Sequence, residues 1–208
     1  MEVNGDIIET ATVMFQSAGI RKIKMDDIAF RMGISKRTLY EQFTNKDNLI
    51  RYCLDNIIKK QREESEKILN NNNNVVEAII AFLKKGNEIL LAVNPLFFSD
   101  LKRIYPSIWH EKFQLQQHNN YLITKQLIEK GVKEGFYRED INVDMVARIF
   151  VEQLNIFSDQ DFFSGRDFSV TEVFNNLLVN YTRGIATAKG IKLIDEAPIS
   201  LRQTKRDE

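Results

Sequence analysis

The stretch MDDIAFRMGISKRTLYEQFTNKDNLI, from Met25 to Ile50, decides the fold. Asp26 to Met32 sets Ile28, Ala29 and Met32 on one helical stripe, and Lys36 to Phe43 sets Leu39 and Phe43 at i and i+4. Gly33 between them suits a sharp turn with positive φ, and Ser35 is placed to cap the second helix through its hydroxyl. Two short helices joined this way make a helix-turn-helix. Ala29 suits a close crossing, while Ile34, Leu39 and Phe43 lock the second helix to its neighbours. The residues left outside are Ser35, Lys36, Arg37, Thr38, Glu41 and Gln42. Cations, hydroxyls and an amide at the amino end of an exposed helix are the groups that read a major groove.

The charge distribution agrees. The 208-residue chain balances 29 Lys and Arg against 29 Asp and Glu. Between Arg21 and Arg51, however, Arg21, Lys22, Lys24, Arg31, Lys36, Arg37, Lys46 and Arg51 face only Asp26, Asp27, Glu41 and Asp47. That stretch carries +4 and the remainder −4, a basic patch on an acidic body. One cysteine, Cys53, excludes an intrachain disulfide and fits a reducing compartment. The start MEVNGDIIETATVMF has no basic n-region, and no apolar run approaches the roughly 20 residues of a membrane helix. A soluble, cytoplasmic protein without membrane contact is expected.

Helical periodicity runs through the rest. A first helix is expected from about Asp6 to Ser17, stopped by Gly19. Thr44 with Asp47 approximates a capping box for a long fourth helix from about Asn45. That helix is apolar through Leu49, Ile50, Cys53, Leu54 and Ile57, then polar in KKQREESEK, as a strut between domains would be. The asparagines from Asn70 to Asn74 end it, and Asn74 with Glu77 starts the next. VVEAIIAFLKKGNEILLAV is apolar almost all round and should lie inside a C-terminal bundle. Pro95 and Pro106 open further helices, the second ending near Gly131 and Gly135. Helices over about 143–157 and 170–189 follow, the latter started by Ser169 and Glu172. No strand-like alternation is evident, and the tail from Pro198 reads as disordered.

IAFRMGISKRTLYEQFTNKDNLI closely resembles the DNA-binding signature of the TetR family of bacterial repressors, I-A-x-x-x-G-V-S-x-x-T-L-Y-x-x-F-x-x-K-x-x-L. The resemblance is specific over about Ile7 to Ile50. Beyond that it is organisational, in KGVKEGFYREDI and YTRGI. It implies an all-α chain: a three-helix DNA-binding domain over 1–48, a helical effector-binding and dimerisation domain over 49–197, and a tail over 198–208. It also implies a homodimeric repressor on a palindromic double-stranded operator, released by a small-molecule effector through movement of the fourth helix.

By position, the resemblance makes Lys36, Arg37 and Gln42 base readers, the cations suiting guanine and the amide adenine. Tyr40, Lys46, Ser35 and Thr38 match phosphate-holding positions, Tyr40 having a rival reading as a packing aromatic. Lys24 stands where the family usually has a capping Thr. Lysine cannot accept a cap's backbone hydrogen bonds but can meet phosphate by charge.

Other candidates are less specific. Phe97, Phe98, Tyr105, Trp109, Phe113 and Tyr121 could line an apolar effector cavity or could be simple core. Phe150, Leu154, Phe174 and Leu177 suit a dimer seam of four helices, though seams and cores look alike in sequence. His110 and His118, eight apart on one helix, are not a standard metal pair, so no metal or cofactor is expected. No phosphate-cradling glycine loop, nucleophile–histidine pairing or carboxylate cluster suggests an enzyme. The rival to a DNA-binding regulator is a helical protein-interaction module in which the +4 stretch is incidental.

Overall fold

The computed structural model describes residues 2–158, 160–163 and 167–196; the expected tail over 198–208 lies outside them. The described residues form helices α1 (Glu2–Ala18), α2 (Met25–Met32), α3 (Lys36–Gln42), α4 (Lys46–Asn71), α5 (Val75–Ala92), α6 (Leu96–Ile104) and α7 (Pro106–Lys133). After these come α8 (Val143–Gln153), a 3-10 turn over Leu154–Ser158, α9 (Gln160–Phe163), α10 (Val170–Ile185) and α11 (Ala188–Glu196). The all-α expectation holds, with one isolated β-bridge among the described residues, Tyr137 to Ala186. No described helix is long and apolar enough to cross a membrane.

The chain divides into two compact units, Met1–Glu63 with Leu91–His118, and Glu64–Leu90 with Asn119–Glu208. The first is built around α1 to α3. Ile7, Ala11 and Phe15 of α1, Ile28 of α2, Leu39 of α3 and Leu49 of α4 are completely enclosed. Phe97, Leu101 and Ile108, far along the sequence, complete this core. The carbonyl end of α1 is closed by Asn94, whose backbone N–H donates to Gln16 O at 2.8 Å and whose side chain donates to Ser17 O at 3.1 Å. The first half of α7 is tied to α4 by an Arg51–Glu111 ion pair and by Lys112 on Asp55 at 2.7 Å.

The second unit packs Val75, Ile79 and Leu83 of α5 with Ile128, Ala147, Phe150, Leu178 and Ile194. Lys130 closes the carboxyl end of α4, donating to Leu69 O at 3.1 Å and Asn72 O at 2.9 Å. Asn74 Oδ1 accepts the N–H groups of Val76 and Glu77, both at 3.0 Å, as the Asn74–Glu77 pattern predicts for the start of α5. Ser169 and Glu172 form the expected reciprocal capping box at α10.

Several expectations are corrected. α1 begins at Glu2, not Asp6. α4 is capped by Asn45, whose Oδ1 accepts Asn48 N–H at 2.8 Å, and not by Thr44. The helix over 143–157 tightens to 3-10 geometry after Gln153. The helix over 170–189 is two helices. Ala186 is extended (φ −77°, ψ 150°) because Arg138 N–H takes Ile185 O at 3.0 Å and Thr187 N–H takes Phe136 O at 2.9 Å. Thr187 Oγ1 then accepts Gly190 N–H at 3.2 Å and caps α11. Nor is α5 enclosed all round: its first half is buried, while Leu91 is 77% exposed.

Candidate nucleic-acid interface

The turn between α2 and α3 follows from Gly33, which is left-handed at φ 66°, ψ 25°. Its N–H returns to Phe30 O, and that of Ile34 returns to Ala29 O, each at 3.1 Å. Ser35 caps α3 as expected: its Oγ accepts Thr38 N–H at 3.0 Å and lies 2.8 Å from Thr38 Oγ1. Leu39 and Phe43 bury the inner face of α3. Ser35, Lys36, Arg37, Tyr40, Glu41 and Gln42 are exposed and Thr38 is half-buried, so the polar face stands in solvent.

Lys24 precedes α2 and its side chain makes no cap. The other half of a capping box survives, with Lys24 N–H donating to the Asp27 carboxylate at 2.7 Å. The ammonium of Lys46 is half-buried and donates to Ile20 O at 2.6 Å, and burial lowers its pKa. It therefore reaches the carbonyl just beyond α1 rather than extending into solvent. Each cation at the amino end of α3 meets a carboxylate: Lys36 pairs with Asp26 of α2, and Arg37 Nε lies 2.8 Å from Glu41. The hydrogen bond to Asp26 raises the Lys36 pKa.

Phe30 escaped the sequence reading. It is 89% exposed on α2, one turn from Asp26 and so on the same face. Its apolar character beside exposed Arg31 was the available signal.

Among the aromatic candidates, five fall in the first unit. Phe97 is enclosed in its core, with Phe98, Tyr105 and Trp109 packed against that core. Trp109 stacks on Phe113 at 4.7 Å between centroids. Tyr121 belongs to the second unit, where its hydroxyl donates to Asp144. Of the seam candidates, Phe150 is buried against Tyr181, whereas Leu154, Phe174 and Leu177 are half-buried. His110 Nε2 lies 3.0 Å from the Gln114 amide. No group of three or more His, Cys, Asp or Glu among the described residues could hold a metal. Cys53 is buried, and desolvation pushes its thiol up to about 11, leaving it protonated and inert.

Residues 7–53 match the family model for bacterial regulatory proteins of the tetR family. That segment is a TetR-family DNA-binding region. The chain is 25% identical over 150 residues to the HTH-type transcriptional repressor KstR2 of Rhodococcus jostii, covering 69% of this chain and 72% of that protein. Its fold matches a transcriptional regulator from Cytophaga hutchinsonii with TM-score 0.71 at 20% identity, over 87% of this chain and 97% of that one. A TetR family regulator from Agrobacterium tumefaciens matches with TM-score 0.68 at 15% identity, over 88% and 97%. The protein is thus a helix-turn-helix transcriptional regulator of a DNA-binding, non-enzymatic family.

Proposed function

We propose that this regulator is a repressor that binds a palindromic operator as a homodimer and leaves it when a small-molecule effector binds. The observation that carries DNA reading is the polar face of α3, exposed from Ser35 to Gln42 while Leu39 anchors the helix from behind. On that face Lys36, Arg37 and Gln42 take the bases, and Ser35, Thr38 and Tyr40 the phosphates, with Lys24 beside them. Lys46 joins them only by exchanging the Ile20 carbonyl for phosphate. Repression is supported by the similarity to a protein named a repressor.

We assign DNA binding to 1–48 and effector binding with dimerisation to 49–197. An open groove of about 610 Å³ lined by Glu152, Gln153, Ile156, Leu177, Asn180 and Tyr181 runs along α10, and its mixed lining, with Ile156 and Leu177 apolar, supports a face that a second copy would cover. Of the aromatic residues named for the effector, Phe97, Phe98, Tyr105, Trp109 and Phe113 lie together in the first unit, and that grouping supports assigning the effector site there.

Selecting duplexes from a random pool identifies the operator. The double variant Lys36→Ala with Arg37→Ala should then lose roughly 100-fold or more in operator affinity, each base contact being worth about 1–3 kcal/mol. Light scattering should show the same dimer as the unaltered protein. Unchanged affinity would leave the helical interaction module as the better account.

A further inference from the structure

The two cations assigned to the bases do not stand free. Lys36 is held by Asp26, ten residues earlier on α2, and Arg37 by Glu41 on α3 itself. Helix stability accounts for Asp26, an acid in the first turn of α2, but not for Glu41. An acid after a cation at i, i+4 is the weaker order for such a pair, and Arg37 at the amino end of α3 opposes the helix dipole. All four groups are exposed, with side-chain exposures of 66% and 48% for Lys36 and Asp26, and 88% and 56% for Arg37 and Glu41. Exposed pairs like these are worth less than about fivefold each in an equilibrium.

We propose that Asp26 and Glu41 are built-in counterions of the recognition helix, which suppress binding to non-cognate DNA and so sharpen specificity. The inference rests on the DNA-binding role of α3. A phosphate offers Lys36 or Arg37 much what the carboxylate already gives, so the exchange yields little, and the uncovered carboxylate then faces the polyanion. A guanine edge offers a directed, bidentate contact worth roughly 5- to 150-fold, which exceeds the value of the broken pair. Cations already neutralised within the protein also release fewer counterions from DNA, and the salt dependence of non-specific binding is shallower than the number of cations on the face implies.

The test compares the full-length protein with Asp26→Asn plus Glu41→Gln on a random-sequence 30-base-pair duplex, titrated across salt concentrations. Removing both acids should raise affinity for this duplex about tenfold at low salt. The log–log salt slope should steepen by about 2–4 for a dimer, at roughly 0.9 per newly engaged phosphate. Thermal melts check folding, and Glu63→Gln plus Glu66→Gln on α4 removes the same two charges and should change affinity less than twofold. Unchanged slope and affinity in a folded double variant, with the unaltered protein binding DNA, would overturn the counterion role alone. A loss of operator affinity without gain on random DNA would instead make the acids base readers and also overturn it. If the unaltered protein binds no duplex at all, the DNA-binding reading itself falls.

Discussion

In the first unit, Ile7, Phe15, Ile20, Ile28, Leu39 and Leu49 are wholly enclosed, whereas the second encloses Val75 and Ala147 but leaves the larger core side chains of Phe136, Phe150, Leu178, Ile185 and Ile194 each with 6–8% of their surface in solvent. The difference has a local origin. The first unit winds short helices around left-handed turns at Gly19 and Gly33, so apolar side chains converge on one point from several directions. The second packs apolar stripes of α5, α7, α8, α10 and α11 together, and part of those stripes stays half-covered. Half-buried Leu154, Phe174 and Leu177 are the remainder of those stripes. Both units leave large apolar side chains in solvent, Phe30 and Leu91 in the first and Met145 and Ile149 in the second. What sets the second apart is that half-buried Phe174 and Leu177 share one helix, α10, which a second copy would cover.

The largest expected effect comes from glycines, which the two units use differently. Gly190 lies where an added Cβ would stand 2.2 Å from the Phe136 carbonyl oxygen, a backbone atom that cannot swing aside. Gly190→Ala should therefore separate α11 from the Tyr137–Ala186 bridge, costing more than about 3 kcal/mol by urea denaturation. Gly33→Ala meets nothing within 4 Å and carries only the left-handed backbone cost, about 1–2 kcal/mol. Equal costs would mean that the close approach at Gly190 is slack.

Next comes the contrast in burial. Leu39→Ala opens a cavity in an enclosed core and should cost about 3 kcal/mol. Leu177→Ala, half-buried beside the open groove, should cost under about 1 kcal/mol in a dilute, monomeric sample. If α10 seals a dimer, the Leu177→Ala deficit should grow with protein concentration, because association then adds to stability. A concentration-independent melting shift for Leu177→Ala would remove this surface from the dimer seam.

Most elements governed by residues within four positions were legible in the sequence, the cap of α4 excepted, where Asn45 serves instead of Thr44. Ser35 with Thr38, Asn74 with Glu77 and Ser169 with Glu172 are capping contacts, and each appears where its pattern places it. What else escaped depends on partners far along the chain. The break at Ala186 requires Phe136 and Arg138, and the closure of α1 requires Asn94. Helical periodicity carries no trace of either. The placement of Lys46 escaped for the same reason: a lysine at a phosphate-like position reads as solvent-facing, yet Ile20 O lies within its reach. The outward residues of α3 were legible as a set, because burying Leu39 and Phe43 dictates which positions remain. Their pairing with Asp26 was not, since it depends on how α2 crosses α3.

The smallest effect concerns the amino end of α2, where Lys24 supplies no side-chain acceptor. Asp27 already satisfies the Lys24 N–H, so only the reciprocal bond is missing. Lys24→Thr supplies a hydroxyl for the N–H of Asp27 and completes the box, as Ser169 and Glu172 do at α10. The variant should be more stable by about 0.5–1 kcal/mol, seen as a small rise in melting temperature. It also removes one cation from the DNA-facing side, so operator affinity should fall by a few-fold with a shallower salt slope. A stability gain with unchanged salt dependence would show that Lys24 does not touch phosphate. No gain would mean that the backbone bond from Asp27 N–H to Lys24 O, at 3.1 Å, already satisfies this helix start.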